Sequence, residues 1–395
     1  MSIFSVIQPA PTDPILGLNE AYKADTRSHK VNLGVGVYLN EQGELPLLAA
    51  VREADQRLSA AAKARSYLGI DGLPAYREQV QQVVFGSDCE AVSAGRVVTV
   101  QSLGGTGALK IGADFLKLRG EPNKVLISDP SWENHRQLFT KAGYEVDSYR
   151  YYGDKGIDFD GMIADLKAAQ PGTVILLHAC CHNPTGYDLS AQQWDEVIKV
   201  MAEGSLLPFV DMAYQGFGEG LVADAAVLQR LLDAGLEFLC STSFSKTFSL
   251  YGERVGSLNI VTTDPDTAAT VLSQVKVTIR TNYSNPPTHG AALVATVLAD
   301  ADLKQQWQTE LESMRTRIKQ LRMSLVDRLA AQGVADMGFV AEQQGMFSYS
   351  GLSAQQMERL REEYAIYGTR TGRMCVAALN DENLDYVAAS IAAVR

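Results

Sequence analysis

The sequence predicts an α/β protein: a large domain with a mostly parallel sheet between helices, and a second, smaller α+β domain. Three observations predict it. Short apolar runs bounded by turn residues recur through the middle of the chain. Amphipathic stretches of helical period lie between them. Beyond Asn285 this alternation stops and one long charged stretch takes over.

The elements follow in order. The start, with Pro9, Pro11 and Pro14, reads as an extended arm over residues 1–12. Strands are expected at 96–100 (RVVTV), 124–128 (KVLIS), 173–179 (TVILLHA), 206–212 (LLPFVDM) and 237–243 (EFLCSTS). Their residues are β-branched or apolar nearly throughout, as strands covered on both faces require. Residues 108–118 and 190–203 carry helical patterns between them. The last residues of each run then lie at the carboxyl edge of the sheet, where α/β proteins bind ligands. From about Leu303 to Ala331 the chain reads as one charged helix, and a strand is expected at 345–351.

Composition narrows the function. The chain has 395 residues, 46% of them hydrophobic, which is enough for two domains or one large one. The formal charge of −11 argues against nucleic acid or an anionic membrane as partner. Five cysteines, with Cys180 and Cys181 adjacent, fit neither a disulfide framework nor a zinc spacing, so no metal is expected and the reducing cytosol is the simplest compartment. The N-terminus has neither the basic region nor the apolar run of a signal peptide, and no window reaches the length of a membrane span.

The stretch 241–256, STSFSKTFSLYGERVG, is the most informative. A lysine among hydroxyls, such as Lys246, can be held unprotonated and form an imine with an aldehyde. Ser243 and its neighbours, with Arg254, can receive a dianionic phosphate. Imine lysine plus phosphate cup is what pyridoxal phosphate requires; the same residues also describe a solvated lysine in a Ser-rich loop. Gly104, Gly105, Thr106 and Gly107 lead from an expected strand into a helix, offering free N–H groups to a phosphate or simply making a tight turn. Asp211 closes a strand and can hold a ring nitrogen protonated, the electron-sink form of a pyridine; it also reads as a structural strand-end acid. Tyr214 and Asn183, the latter in the turn HNPTG, can hydrogen-bond a phenolic oxygen. Trp132 can stack on a flat ring, with His135 near it. Arg280 and Arg373 suit carboxylate capture, or the surface; an inward Arg373 would need a carboxylate partner.

These motifs agree in order and spacing with a known family. The chain resembles the class I pyridoxal-phosphate aminotransferases, in the branch of the aspartate and aromatic-amino-acid enzymes. The likeness runs from DPILGLNEAY (13–22) to GRMCVAALN (372–380), through VNLGVGVY, SYLGIDG, GGTGAL, PSWENH, CCHNPTG, DMAYQGFGEG, SFSKTFSLYGERVG and YSNPP. The resemblance implies the fold-type I architecture of these enzymes, with a small domain of 13–45 and 314–395 and a large cofactor-binding domain of 46–313. It implies that Lys246 binds the cofactor and shuttles protons, and that Asp211, supported by His135, pairs with the pyridine nitrogen. Asn183 and Tyr214 would bond the phenolic oxygen, Trp132 would cover the ring, and Gly105, Thr106, Ser243 and Arg254 would hold the phosphate. Tyr67 would reach that phosphate from the neighbouring subunit of a homodimer with shared active sites. Arg373, with Asn183 and the Gly36 amide, would clamp the substrate α-carboxylate, and the neighbour's Arg280 would meet an acidic side chain.

Substrate choice turns on a few positions. Members specific for dicarboxylates tend to be polar at the positions of Leu39 and Leu45. Here both are leucine, beside Ile15 and Leu16, which favours an aromatic side chain. Asn285 looks like the aspartate branch. The expectation is therefore transamination between an aromatic amino acid and 2-oxoglutarate, with aspartate and glutamate also accepted. The alternatives are an aspartate aminotransferase, a lyase, decarboxylase or synthase on the same fold, and a non-catalytic amine sensor. The retained Arg280 and Arg373 favour transamination, and the acidic charge disfavours a DNA-binding regulator.

Overall fold

The computed structural model describes residues 2–10, 13–154 and 156–395. Met1, Pro11 and Thr12, which fall in the arm expected over 1–12, lie outside the described residues, as does Lys155. The described part of the arm is not uniformly extended: turns close with Ser5 N–H on the Ser2 carbonyl and Ile7 N–H on the Phe4 carbonyl. Apolar Ile3, Phe4, Val6 and Ile7 project from it, 67–83% exposed.

The chain folds into two compact units. One comprises residues up to Glu44, Gln320–Glu342 and Met346–Arg395; the other comprises Leu45–Lys319 and Gln343–Gly345. The larger is built on a seven-stranded sheet. Its strands are β1 (Val97–Leu103), β2 (Lys124–Asp129), β3 (Glu145–Arg150), β4 (Val174–His178), β5 (Leu207–Met212), β6 (Phe238–Ser243) and β7 (Val255–Val261). Their spatial order is β1-β7-β6-β5-β4-β2-β3. All pairs among β3, β2, β4, β5 and β6 are parallel, and β7 runs against both β6 and β1. The apolar runs of the sequence fill the middle of this sheet. Val125, Val174, Ile175, Leu176, Phe209, Val210 and Leu258 are buried to 1% exposure or less, because helices cover both faces. β3, an edge strand, alternates exposed and partly buried residues from Glu145 to Ser148 and then buries Tyr149.

In the smaller unit Val31–Asn32 pairs in parallel with Ile366–Tyr367. Phe347–Tyr349, within the segment expected to be a strand, pairs antiparallel with Arg373–Cys375. The charged helix spans Ala301–Ala331. Trp307, Leu311, Met314, Ile318, Leu321 and Leu325 recur along it every three or four residues and are buried, which is why so polar a sequence holds as a helix. Among the described residues no helix is long and apolar enough to cross a membrane.

Candidate active site

The site is assembled at the carboxyl edge of the parallel strands. Register does most of the assembly: His178 on β4 pairs with Asp211 on β5, and Asp211 pairs with Ser241 on β6. Residues in register across neighbouring strands share a face. The consequence is a polar row, and the Ser241 hydroxyl donates to Asp211 Oδ1 at 3.1 Å. His135, on the helix Glu133–Lys141, approaches the other oxygen, with Nε2 2.9 Å from Oδ2. Asp211 is 9% exposed and His135 is fully buried. Burial alone would push the Asp211 carboxyl up; the hydrogen bond from His135, with Ser241 adding to it, holds it below the usual carboxylate range.

The hydrogen bonds fix a direction. The Asn183 N–H donates to His178 Nδ1 at 3.2 Å, so the His178 proton sits on Nε2. That proton points to Ser131 Oγ at 3.4 Å, and Ser131 Oγ lies 2.9 Å from His135 Nδ1. Because a carboxylate only accepts, His135 carries its own proton on Nε2, toward Asp211. One polarised line thus joins the Asn183 backbone to the Asp211 carboxylate. His178 stays neutral: burial, with His135 beside it, pushes its pKa down to about 3 against the opposing pull of Asp211. His182 stacks on His178 at 4.2 Å and on Tyr151 at 4.1 Å.

A second feature lies at the ends of β1, β6 and β7. The helix expected to begin near Ala108 begins at Gly104, because the glycines adopt the first turn themselves. Gly105 and Thr106 therefore offer N–H groups that have no partner within the helix. Gly104 has φ +67, and a Cβ there would fall 2.7 Å from Arg254 Nη2. The guanidinium lies against the helix start only because that side chain is absent. Gly256 is likewise required: a Cβ would stand 2.5 Å from the Thr242 carbonyl oxygen and 2.6 Å from the Gly104 carbonyl carbon. Arg254 Nη1 donates to the Tyr251 carbonyl at 3.1 Å and to Ser245 Oγ at 3.3 Å, and Ser243 Oγ accepts from the Ser245 N–H. Helix N–H groups, two serines and an arginine are the donor set for a dianion.

Between these features stands Lys246, with its Nζ 5.0 Å from the centre of the buried Tyr214 ring. Trp132 caps the helix of His135 and meets that imidazole edge-on at 5.1 Å. Asn183 is 6% exposed. An amine, a buried carboxylate, a phenol, an amide, an indole and a donor set for a dianion are the chemical groups that a site for pyridoxal phosphate needs.

Of the remaining expected site residues, Tyr67, Arg280 and Leu45 belong to the larger unit, and Ile15, Leu16, Gly36, Leu39 and Arg373 to the smaller one. Tyr67 is 91% exposed. It lines an open cleft of about 620 Å³ with Arg65, Ser66 and Asn285–Thr288, and Asn285 Nδ2 donates to the Leu68 carbonyl at 3.1 Å. Arg280 is exposed on the last turn of the helix Pro265–Asn282 and donates to Ser284 Oγ. Leu45, in the same unit, is 48% exposed. In the smaller unit Arg373 points inward, 1% exposed. Its guanidinium lies 4.2 Å from the Phe347 ring centre and donates to the Gly34 carbonyl at 2.7 Å. Gly36 lies against the same ring. The Leu39 N–H bonds the Ala377 carbonyl, Ile15 is half-buried and Leu16 is 64% exposed.

Sequence reasoning passed over His178, Ser131 and Ser241. His178 had a visible signal, since it ends the run TVILLHA at the edge where ligands bind. Ser241 needed the register of β5 against β6.

The family model "Aminotransferase class I and II" matches residues 28–391. An aspartate aminotransferase of Pseudomonas aeruginosa is 54% identical over the whole of both chains. The crystal structure of an aromatic-amino-acid aminotransferase from Burkholderia pseudomallei, covalently bound to pyridoxal phosphate, is 58% identical, covers both chains fully and superposes with a TM-score of 0.97. That of an aromatic amino acid aminotransferase from a psychrophilic Psychrobacter, cocrystallised with aspartic acid, is 44% identical, covers 99% of each chain and gives 0.96.

Proposed function

Since the chain belongs to the class I and II aminotransferases and is an enzyme that uses pyridoxal 5'-phosphate, we propose that it moves an amino group between an aromatic amino acid and 2-oxoglutarate and also accepts aspartate and glutamate. The cofactor supplies an aldehyde carbon for the amino group and a ring that takes up the electron pair released with the α-proton. The chain does the rest. Lys246 would hold the cofactor covalently and would carry the proton to and from the substrate α-carbon. Asp211 keeps the ring nitrogen protonated, which its depressed pKa and its hydrogen bonds with His135 and Ser241 support. Asn183 and Tyr214 donate to the phenolic oxygen, and Trp132 covers the ring. Gly105 and Thr106 N–H groups, Ser243 and Arg254 take the phosphate.

Arg373, with Asn183 and the Gly36 amide, takes the substrate α-carboxylate. Arg280 and Tyr67 serve the site of a second copy. That homodimer is supported by their exposure and by the exposed apolar Ile3–Ile7 stretch. The cytoplasm is the proposed compartment, on the five reduced cysteines. Residues 13–45 and 314–395 act as the small domain and 46–313 as the large one.

The aromatic preference rests on Leu39 and Leu45, with Ile15 and Leu16, as an apolar wall. The Psychrobacter enzyme, aromatic by name and cocrystallised with aspartic acid, supports one site serving both classes. The second reading is an aspartate aminotransferase that prefers dicarboxylates; the Pseudomonas relative and Asn285 favour it. The deciding measurement is kcat/KM for phenylalanine, tyrosine, aspartate and leucine with 2-oxoglutarate. Phenylalanine and tyrosine at or above aspartate support the first reading. Aspartate far above both supports the second, and no turnover of any overturns both.

A further inference from the structure

Behind the turn that carries Asn183 lies a cluster that the transamination machinery does not use. Consecutive residues of an extended chain project to opposite sides. Cys180 and Cys181 do not, because Cys181 adopts a left-handed backbone with φ +52 just beyond the end of β4. A non-glycine residue there is uncommon and calls for a reason. The two sulfurs and a carboxylate oxygen of Asp224 consequently lie within 4.8 Å of one another, and all three residues are buried. Spacing in the sequence could not reveal this set, since the fold brings Asp224 in from the far side of β5.

We propose that Cys180, Cys181 and Asp224 form a binding site for a thiophilic divalent cation such as Zn²⁺ or Cd²⁺. A tetrahedral ion with bonds of about 2.0–2.3 Å holds its ligand atoms roughly 3.3–3.8 Å apart, which small rotations reach from the observed positions. Two sulfurs and one carboxylate select such an ion over Mg²⁺ or Ca²⁺. The ligands are already anchored as metal ligands usually are. Asp224 accepts N–H groups from Gly216, Gly218 and Glu219 at 2.7, 3.0 and 2.8 Å. Asp188 accepts the Cys181 and His182 N–H groups at 2.6 and 2.8 Å, fixing the bend.

Charge points the same way. Among the described residues neither Asp188 nor Asp224 takes part in an ion pair, and Arg230, which lines the adjoining cavity, is paired with Asp195. A buried acid such as Asp224, with the half-buried Asp188 near it and no cation, is costly, and a cation would relieve it. A cavity of about 170 Å³, bordered by Cys180, Asp188, Asp224 and Trp194, gives access and room for water as a fourth ligand. The opposite side is closed: a Cβ at Gly345 would fall 2.9 Å from Cys181 Sγ. Binding replaces two thiol protons, released to solvent, with one divalent ion.

The test uses the holoenzyme, freed of metal and kept reduced, titrated with CdCl₂. One equivalent per chain should bind, with the ultraviolet thiolate-to-cadmium charge-transfer band. Cys180→Ser and Cys181→Ser should each weaken binding on the order of tenfold or more and remove most of the band, with circular dichroism and bound-cofactor absorbance unchanged. Cys375→Ser should leave both intact. The proposal is overturned if wild type shows no such band, if the band survives in the Cys180→Ser/Cys181→Ser protein, or if Cys375→Ser abolishes it equally.

Discussion

The row His178–Asp211–Ser241 and the face carrying Tyr67 and Arg280 belong to the same unit but solve opposite problems. Asp211 is a buried charge, so the chain that buries it must also supply its partners, and His135 and Ser241 do so. Tyr67 and Arg280 lie in solvent, where an unfinished contact costs little. The first region is complete within one chain. On the proposed function, the second would acquire a task only when a second copy meets it. If the proposed roles hold, the contrast would separate residues whose loss stops chemistry in every copy from residues whose loss a second copy can repair.

The largest effect should come from Lys246→Ala, inside the complete region. Proton transfer and covalent attachment both disappear, so kcat should fall on the order of a thousandfold or more. The visible absorption of the bound cofactor should lose its pH dependence. A variant that keeps both would place the reactive amine elsewhere. Asp211→Asn should follow, with kcat lower by on the order of 10²–10³ from lost electrostatic support. The amide can still accept from His135, so cofactor should remain bound and the thermal midpoint should move by only a few degrees. Near-normal kcat would mean that another group keeps the ring nitrogen protonated.

The exposed face should behave differently. In its proposed role Arg280 pairs with an acidic substrate side chain, and Arg280→Leu would remove that charge-assisted pair, a loss of roughly 2–5 kcal/mol. kcat/KM for aspartate should drop on the order of a hundredfold, and that for phenylalanine should stay or rise. Equal losses for both would move Arg280 to the α-carboxylate or to a structural role. Inactive Lys246→Ala and Arg280→Asp proteins, mixed under conditions that exchange subunits, should regain part of their aspartate activity, because each hybrid has one intact site. No recovery after proven exchange would place both residues in one chain's site and remove the contrast.

How much of this was legible follows from what a sequence records. β2, β4, β5 and β6 are continuous apolar runs and could be read directly. β3 could not, because an edge strand such as EVDSYR alternates weakly and looks like a loop. β7 was hidden inside the stretch that follows Lys246, where its residues read as motif rather than strand. In the site, Lys246, Asp211 and Arg254 were visible as residue types at strand ends. The Asp211–Ser241 bond was not, since it depends on which residue of β5 lies beside which residue of β6. The Ser131 relay was invisible for the same reason: it joins residues 47 positions apart.

The smallest expected effect tests whether the relay is as neutral as its hydrogen bonds require. In the unfolded chain a histidine titrates near 6.5. In the folded chain burial, chiefly, takes His178 down to about 3. Between those values the unfolded state holds a proton that the native state refuses. Stability therefore rises with pH across this window: it is complete above about 6.5 and is lost as pH falls toward 3. One such group contributes about 1.4 kcal/mol per pH unit once the unfolded form is fully protonated. His178→Gln can still accept from the Asn183 N–H and donate to Ser131, but it cannot titrate. Urea unfolding at pH 7 and pH 5 should show a smaller loss of stability for this variant than for wild type. His182, also held well below its usual pKa by burial, should keep some of the loss in place. Tyr67→Phe, on the exposed face, should leave the difference between the two pH values unchanged. If His178→Gln and wild type lose stability in parallel, His178 is charged in the native state, its Nδ1 cannot accept from the Asn183 N–H, and the line from Asn183 to Asp211 is broken at that residue.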